Sequence, residues 1–233
     1  MSEKNISNNT SYTDFLNNVI VLLKNADKNR INITSDYADK MHEQYEYEKK
    51  QYGKSDIYKD EVIIKNISEI YKNIGNKVEH KEIGIIFLTN KTIDDTITHE
   101  GYKTNLNIEA LYNAALLFKN AKILNYTENW KNRGYDSYLC ACPIMIKDKN
   151  YIAEMVVNRY HKGTEQESQR GYIVNIIEQK ELDNYLSNPK NTHNSEHHLP
   201  LQKVSSTGTI ITEPVFLINS IIIDTLQKVK LFL

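Results

Sequence analysis

The stretch SYLCACPIMIKDKNYIAEMVVNRY, residues 137–160, decides the fold. Two runs rich in apolar and β-branched residues, Ser137 to Lys147 and Tyr151 to Tyr160, flank the polar turn Lys147-Asp148-Lys149-Asn150, as a β-hairpin requires. A third run, Gly171 to Glu178, follows a longer polar loop from His161 to Gln169 and extends the pair into an antiparallel meander. Cys140 and Cys142 are two apart in the first strand, so their side chains leave the same face from neighbouring pleats. That geometry is unsuited to a disulfide, and both are expected to fill the sheet face.

Working upstream, Ile83 to Leu88 reads as a short strand, and Asn90 or Thr92 caps a short helix through His99. A longer helix starts at Asn107, with Ile108, Leu111, Tyr112, Ala115, Leu116 and Phe118 at helical spacing. The first third reads as three helices. Thr13 or Ser11 caps one carrying Phe15, Leu16, Val19, Ile20, Leu22 and Leu23. Thr34-Ser35-Asp36 caps a second, Tyr37 to Tyr52, which stops at Gly53. Ser55 or Asp56 opens a third, which stops at Gly75. Past Leu182 a Ser-, Asn-, His- and Pro-containing loop runs to Ser206, and Ile210 to Leu233 reads as a strand and a short closing helix. The expected class is α+β: a helical region over residues 1–77, then a domain over 78–233 with helices packed on one face of a small antiparallel sheet.

With Lys+Arg 29 against Asp+Glu 30, the net charge is −1. A protein that grips nucleic acid mainly through phosphates carries a basic excess, so any such contact must come from a local patch. No run of about 18 apolar residues is present and the first residues are polar, so a membrane partner is not expected and the cytoplasm of a host bacterial cell is the expected compartment. Sixteen Tyr beside a single Trp, with many Asn, Lys and Ile, point to an AT-rich genome.

Four phrases carry a resemblance: FLTNKTIDDTITHEGY (87–102), IEALYNAALLFKNAKIL (108–124), the hairpin at 137–160 and RGYIVNII (170–177). Their order resembles the phage and mobile-element domains of the barnase, EndoU, colicin and RelE-like nuclease superfamily, which often sit in large polyvalent proteins. The resemblance covers about 95 residues, Ile83 to Ile177, and leaves out the N-terminal helices. It implies a ribonuclease-like fold and RNA cleavage without metal or cofactor, in which one side chain takes the 2′-hydroxyl proton and cations steady the phosphate. Carried over by position, His99 stands at the family's helix-end histidine, Arg159 at its strand-end arginine, and Tyr172 on the following strand. In the place where these domains often hold a basic pair, this chain has Asp94-Asp95, which would repel a phosphate and counts against a conventional ribonuclease. For His99 the bland alternative is a helix-end histidine favoured by the dipole.

Two further groups suit RNA or a partner surface. Arg159, Tyr160, His161, Lys162 and Arg170 gather cations and aromatics around one hairpin end, diluted by Glu165 and Glu167. Lys131 and Arg133 flank Trp130 and Tyr135 in a polar loop. The alternatives are a solvated loop and a half-buried loop tryptophan. His193, His197 and His198 have metal-like spacing but lack Cys or a second paired carboxylate, so no metal is expected. The resulting expectation is a mobile-element accessory protein on a ribonuclease-like fold that binds and inhibits a host nucleic-acid-handling or defence ribonucleoprotein, an RNA-guided CRISPR-type effector being one form. An active metal-independent ribonuclease and a phage packaging accessory protein are the alternatives.

Overall fold

The computed structural model describes residues 9–33, 36–98, 105–161, 169–187, 203–204 and 210–211. It divides into two compact units, Met1–Lys180 and Glu181–Leu233. The first unit opens with α1 (Tyr12–Lys24). Ser11 is extended, and its Oγ accepts the Asp14 N–H at 3.1 Å, satisfying a donor that the first turn leaves open. A short α2 (Ala26–Asn29) leads into β1 (Ile31–Ile33). Helix α3 (Tyr37–Tyr52) stops at Gly53, whose φ of 73° lets its N–H turn back to Lys49 O. Its start differs from expectation. Asp36 makes no side-chain cap and pairs with Lys40 instead, while the Ala38 N–H donates to Glu109 Oε2 at 2.9 Å. Thr34 and Ser35 lie outside the described residues. Helix α4 (Asp60–Asn73) begins later than expected, because Ser55 and Asp56 are used in a turn that bonds Ile57 N to Ser55 Oγ and Lys59 N to Asp56 O.

Next come β2 (Lys77–His80), β3 (Gly84–Phe87) and α5 (Asn90–Thr98). The single helix expected from Asn107 is two, α6 (Asn105–Tyr112) and α7 (Ala114–Asn120). The break falls at Asn113, whose side-chain Nδ2 donates to the Glu109 carbonyl that its own backbone N–H also approaches. Then β4 (Lys122–Thr127), a 3-10 turn at Trp130–Asn132, β5 (Tyr135–Ile146), β6 (Lys149–Tyr160), β7 (Gln169–Glu178) and α8 (Gln179–Ser187) follow. In the second unit β8 (Lys203–Val204) pairs antiparallel with β9 (Ile210–Ile211). The closing helix expected after it lies outside the described residues.

The β5–β6–β7 meander is antiparallel, with Cys142 opposite Ala153 and Val157 opposite Gly171. Lys147 and Asp148 both take positive φ (50° and 61°), the mirror-image turn that matches strand twist. Around the meander the sheet is mixed, in the order β1-β5-β6-β7-β3-β2 with β4 also on β5. β1 runs parallel to β5, and β3 parallel to β7 through the single pair Phe87–Arg170. Long helical connections separate these partners, so no tight turn forces them antiparallel.

Pleat alternation gives the sheet two buried faces. Cys140, Cys142 and Ile144 of β5 share one core with Ala153, Met155 and Val157 of β6 and with Ile173 of β7. That core also takes Met41 of α3, Ile63, Ile67 and Tyr71 of α4, and Leu117 and Phe118 of α7, so residues on both sides of position 77 pack together. Leu139, Ala141, Ile152 and Val156 have the opposite parity and are buried as well, where α1 packs over β4 and β5. The two layers meet most tightly at Gly171: a Cβ there would lie 2.5 Å from Phe118 Cζ. Both cysteines are free and buried, and burial pushes their thiols up, Cys142 to about 12.

Candidate functional site

The end of the sheet where β5 begins and β6 finishes gathers most of the residues singled out by sequence. The connection from β4 bends through three left-handed non-glycine residues, Asn129, Lys131 and Asn132, and through Gly134. Such backbone needs outside support. Asn129 Oδ1 accepts the Gly134 N–H at 3.0 Å, Asp136 Oδ1 accepts the Asn129 N–H at 3.0 Å, and the His161 N–H donates to Gly134 O at 3.0 Å. The loop is thereby fastened to the end of β6. Trp130 is half-buried, with Lys131 Nζ 5.1 Å from its ring centroid, and Lys131 and Arg133 are exposed.

Strand parity then sorts the side chains. Tyr135 and Tyr160 are cross-strand partners with ring centroids 5.0 Å apart, and the Arg170 guanidinium lies 4.7 Å over the Tyr160 ring. This is an aromatic pair topped by a cation, on one face. On the opposite parity stand Asp136, Tyr138, Arg159 and His161. Arg159 Nε donates to Gln169 Oε1 at 2.9 Å, its Nη2 donates to Ile83 O at 3.1 Å, and its guanidinium covers the Tyr138 ring at 5.0 Å. Gln169 Nε2 in turn donates to Ile83 O and Ile85 O. Arg159 and Gln169 therefore stitch β3 to the meander, and the arginine's fork faces inward.

His161 Nε2 lies 2.7 Å from Asp136 Oδ1; 43% of the histidine side chain is exposed against 12% of the aspartate's. Burial works against the Asp136 carboxylate, but the Asn129 N–H, His161 and the Tyr126 hydroxyl together hold its pKa below the ordinary aspartate value. Burial, with the Asp136 charge adding to it, pushes Tyr126 up to about 12, so its hydroxyl remains a donor. An ionised carboxylate only accepts, so Nε2 carries the imidazole proton and Nδ1 keeps its lone pair.

The three residues carried over as catalytic are not assembled on one described surface. His99 lies outside the described residues, as does Lys162. Arg159 pairs with Gln169 and Tyr172 with Val156, an odd number of positions apart along the strands, so Arg159 and Tyr172 leave opposite faces. Burial pushes Tyr172 to about 12, which keeps it protonated at neutral pH. The Asp94–Asp95 pair is partly neutralised, since Lys91 Nζ lies 3.0 Å from the first and 2.7 Å from the second.

The sequence reading passed over Asp136, which stood at the edge of a strand, and over His80. The latter is fully buried: its Nε2 lies 3.0 Å from Ala121 O and its Nδ1 accepts the N–H groups of Ile83 and Glu82. It also passed over Glu154, buried in the middle of β6. Alternating apolar residues on either side concealed it. Among the described residues no group of three His, Cys, Asp or Glu is placed to hold a metal, and no helix is long and apolar enough to cross a membrane. His193, His197 and His198 lie outside the described residues.

Neither the curated proteins nor the solved structures give a match. Residues 59–172 do match a family model, and the stretch begins at α4, ahead of the first strand on which the sequence resemblance rested, and ends in β7. From the last turn before α4 to the middle of the meander, this chain is similar to large polyvalent protein-associated domain 3.

Proposed function

We propose that the chain is an accessory protein of a phage or other mobile element that binds single-stranded RNA at this end of the sheet and, through that RNA, engages a host defence ribonucleoprotein. The observation that carries the reading is the Tyr135–Tyr160 pair with Arg170 over it. A base stacks on such a platform whatever its identity, at roughly 1–3 kcal/mol per base. The near-neutral net charge means that affinity comes from this local geometry rather than from a general attraction to phosphate. Lys131, Arg133 and Arg170 are the cations at hand for the backbone. An RNA-guided effector of the CRISPR type is the concrete setting in which occupying the RNA would inhibit a host. The similarity of residues 59–172 to a domain associated with large polyvalent proteins suits that genetic setting.

Fluorescence anisotropy with a labelled single-stranded RNA tests the reading. Tyr160→Ala and Arg170→Ala are each expected to weaken binding about tenfold. The salt dependence should be shallow, with a slope near −2 for about three phosphate contacts on a single strand. Absence of binding, or variants that bind as tightly as the wild type, would overturn it.

A further inference from the structure

We infer that His161, held by Asp136, is an acid–base group of this chain and acts on the phosphodiester of the bound RNA. The inference rests on the RNA reading above and deepens it. Three donors converge on the buried Asp136: the Asn129 N–H, the His161 ring and the Tyr126 hydroxyl. The aspartate is thus fixed from three sides, and it fixes the imidazole in turn, in the tautomer that leaves Nδ1 with a lone pair. Among the described residues Nδ1 has no hydrogen-bond partner, and the side chain is open to solvent. This is the relation of a carboxylate to the histidine it orients in acyl-transfer triads: the acid sets tautomer and ring position and stabilises the imidazolium, without taking the proton itself.

The position fits a phosphodiester. His161 follows Tyr160 in β6, and its backbone N–H is bonded to Gly134, so it stands between the aromatic pair and the loop that presents Lys131 and Arg133. In the proposed step Nδ1 takes the proton of a ribose 2′-hydroxyl, and the 2′-oxygen bonds to the adjacent phosphorus. The bond from phosphorus to the 5′-oxygen breaks, and that oxygen takes a proton from a water. The imidazolium returns its proton to the hydroxide so formed. The products are a 2′,3′-cyclic phosphate and a 5′-hydroxyl, with no metal or redox partner. Asp136 is a positioning residue and His161 the catalytic one.

The full-length chain is incubated in EDTA with a labelled single-stranded RNA, and ends are identified by mass spectrometry, with anisotropy run alongside. The wild type should give cyclic phosphate ends, and an RNA carrying a 2′-deoxy sugar at the cleaved position should stay intact. His161→Ala and His161→Gln should each lower the rate at least about 100-fold with RNA affinity changed less than about twofold. Asp136→Asn should lower kcat about tenfold or more with KM nearly unchanged, a split that mere loosening of the loop would not give. Thermal melts check that each variant is folded, and the glutamine variant stands in if the alanine one is not. RNA that binds but is not cut by the wild type would overturn this inference and leave the binding reading intact. So would cleavage undiminished in both His161 variants, or cleavage abolished only by His99→Ala. Failure to bind RNA would remove both.

Discussion

Two histidines in this molecule each set Nε2 against a protein oxygen, yet their surroundings differ in what they leave over. At the corner joining β2 to β3, His80 is buried, and its second nitrogen is occupied by the Ile83 and Glu82 N–H groups. Every polar atom of that ring is committed, so it ties the corner to Ala121 and has nothing left for a substrate. At the end of β6, His161 spends Nε2 on Asp136, but its Nδ1 faces solvent. Chemistry at a histidine requires one nitrogen held and one in reserve. The same contrast separates two arginines: Arg159 directs its donors inward at Gln169 and Ile83, whereas Arg170 lies across Tyr160.

Substitutions on the two sides of this contrast should separate stability from RNA handling. Phe118→Ala, in the buried interior, should cost about 3–5 kcal/mol of unfolding free energy in urea titrations, because the cavity left beside Gly171 cannot close. Gly171→Ala should cost about 1–3 kcal/mol by the same measurement, since its Cβ would overlap the Phe118 ring. His80→Ala should cost roughly 1–3 kcal/mol, from the orphaned Ala121 carbonyl and Ile83 N–H, with RNA affinity per folded molecule unchanged. If His80→Ala instead abolished RNA binding at full stability, the division drawn here would be wrong.

Asp136 gives a pH test of smaller size. Its pKa is lower in the folded state than the ordinary 3.8, so its contribution is present above that value and is lost as pH falls through the folded pKa. Thermal midpoints followed from pH 6 down to pH 2 should fall less steeply in Asp136→Asn than in the wild type. The smallest effect is expected at His161→Ala, within about 0.5 kcal/mol of wild-type stability, as for other exposed positions.

Legibility in the sequence followed length and alternation. The three strands of the meander, each ten to twelve residues long, could be read from their apolar runs and from the polar turn at Lys147 and Asp148. The parallel strand β1 has three residues and the edge strand β2 four, too short for a period to show, and each owes its place to a partner far along the chain. The break at Asn113 was hidden because apolar spacing continues across it. At the site, the cluster of Tyr135, Tyr160 and Arg170 was visible as composition, but its division by face follows from register, which only pairing reveals. Asp136 acquires its meaning from His161, twenty-five positions away, and no local motif announces such a pair.

The attachment of β3 to β7 has a mechanical consequence. A single ladder pair, Phe87–Arg170, joins the two strands, and the Gln169 amide and the Arg159 fork supply the remaining bonds across the seam. A seam fastened by side chains opens at lower free energy than one closed by a continuous ladder. In hydrogen exchange, amides of the β2–β3 hairpin should therefore exchange ahead of those shared by β5 and β6, as one segment peeling from the sheet, and Gln169→Ala should hasten that peeling without touching the meander.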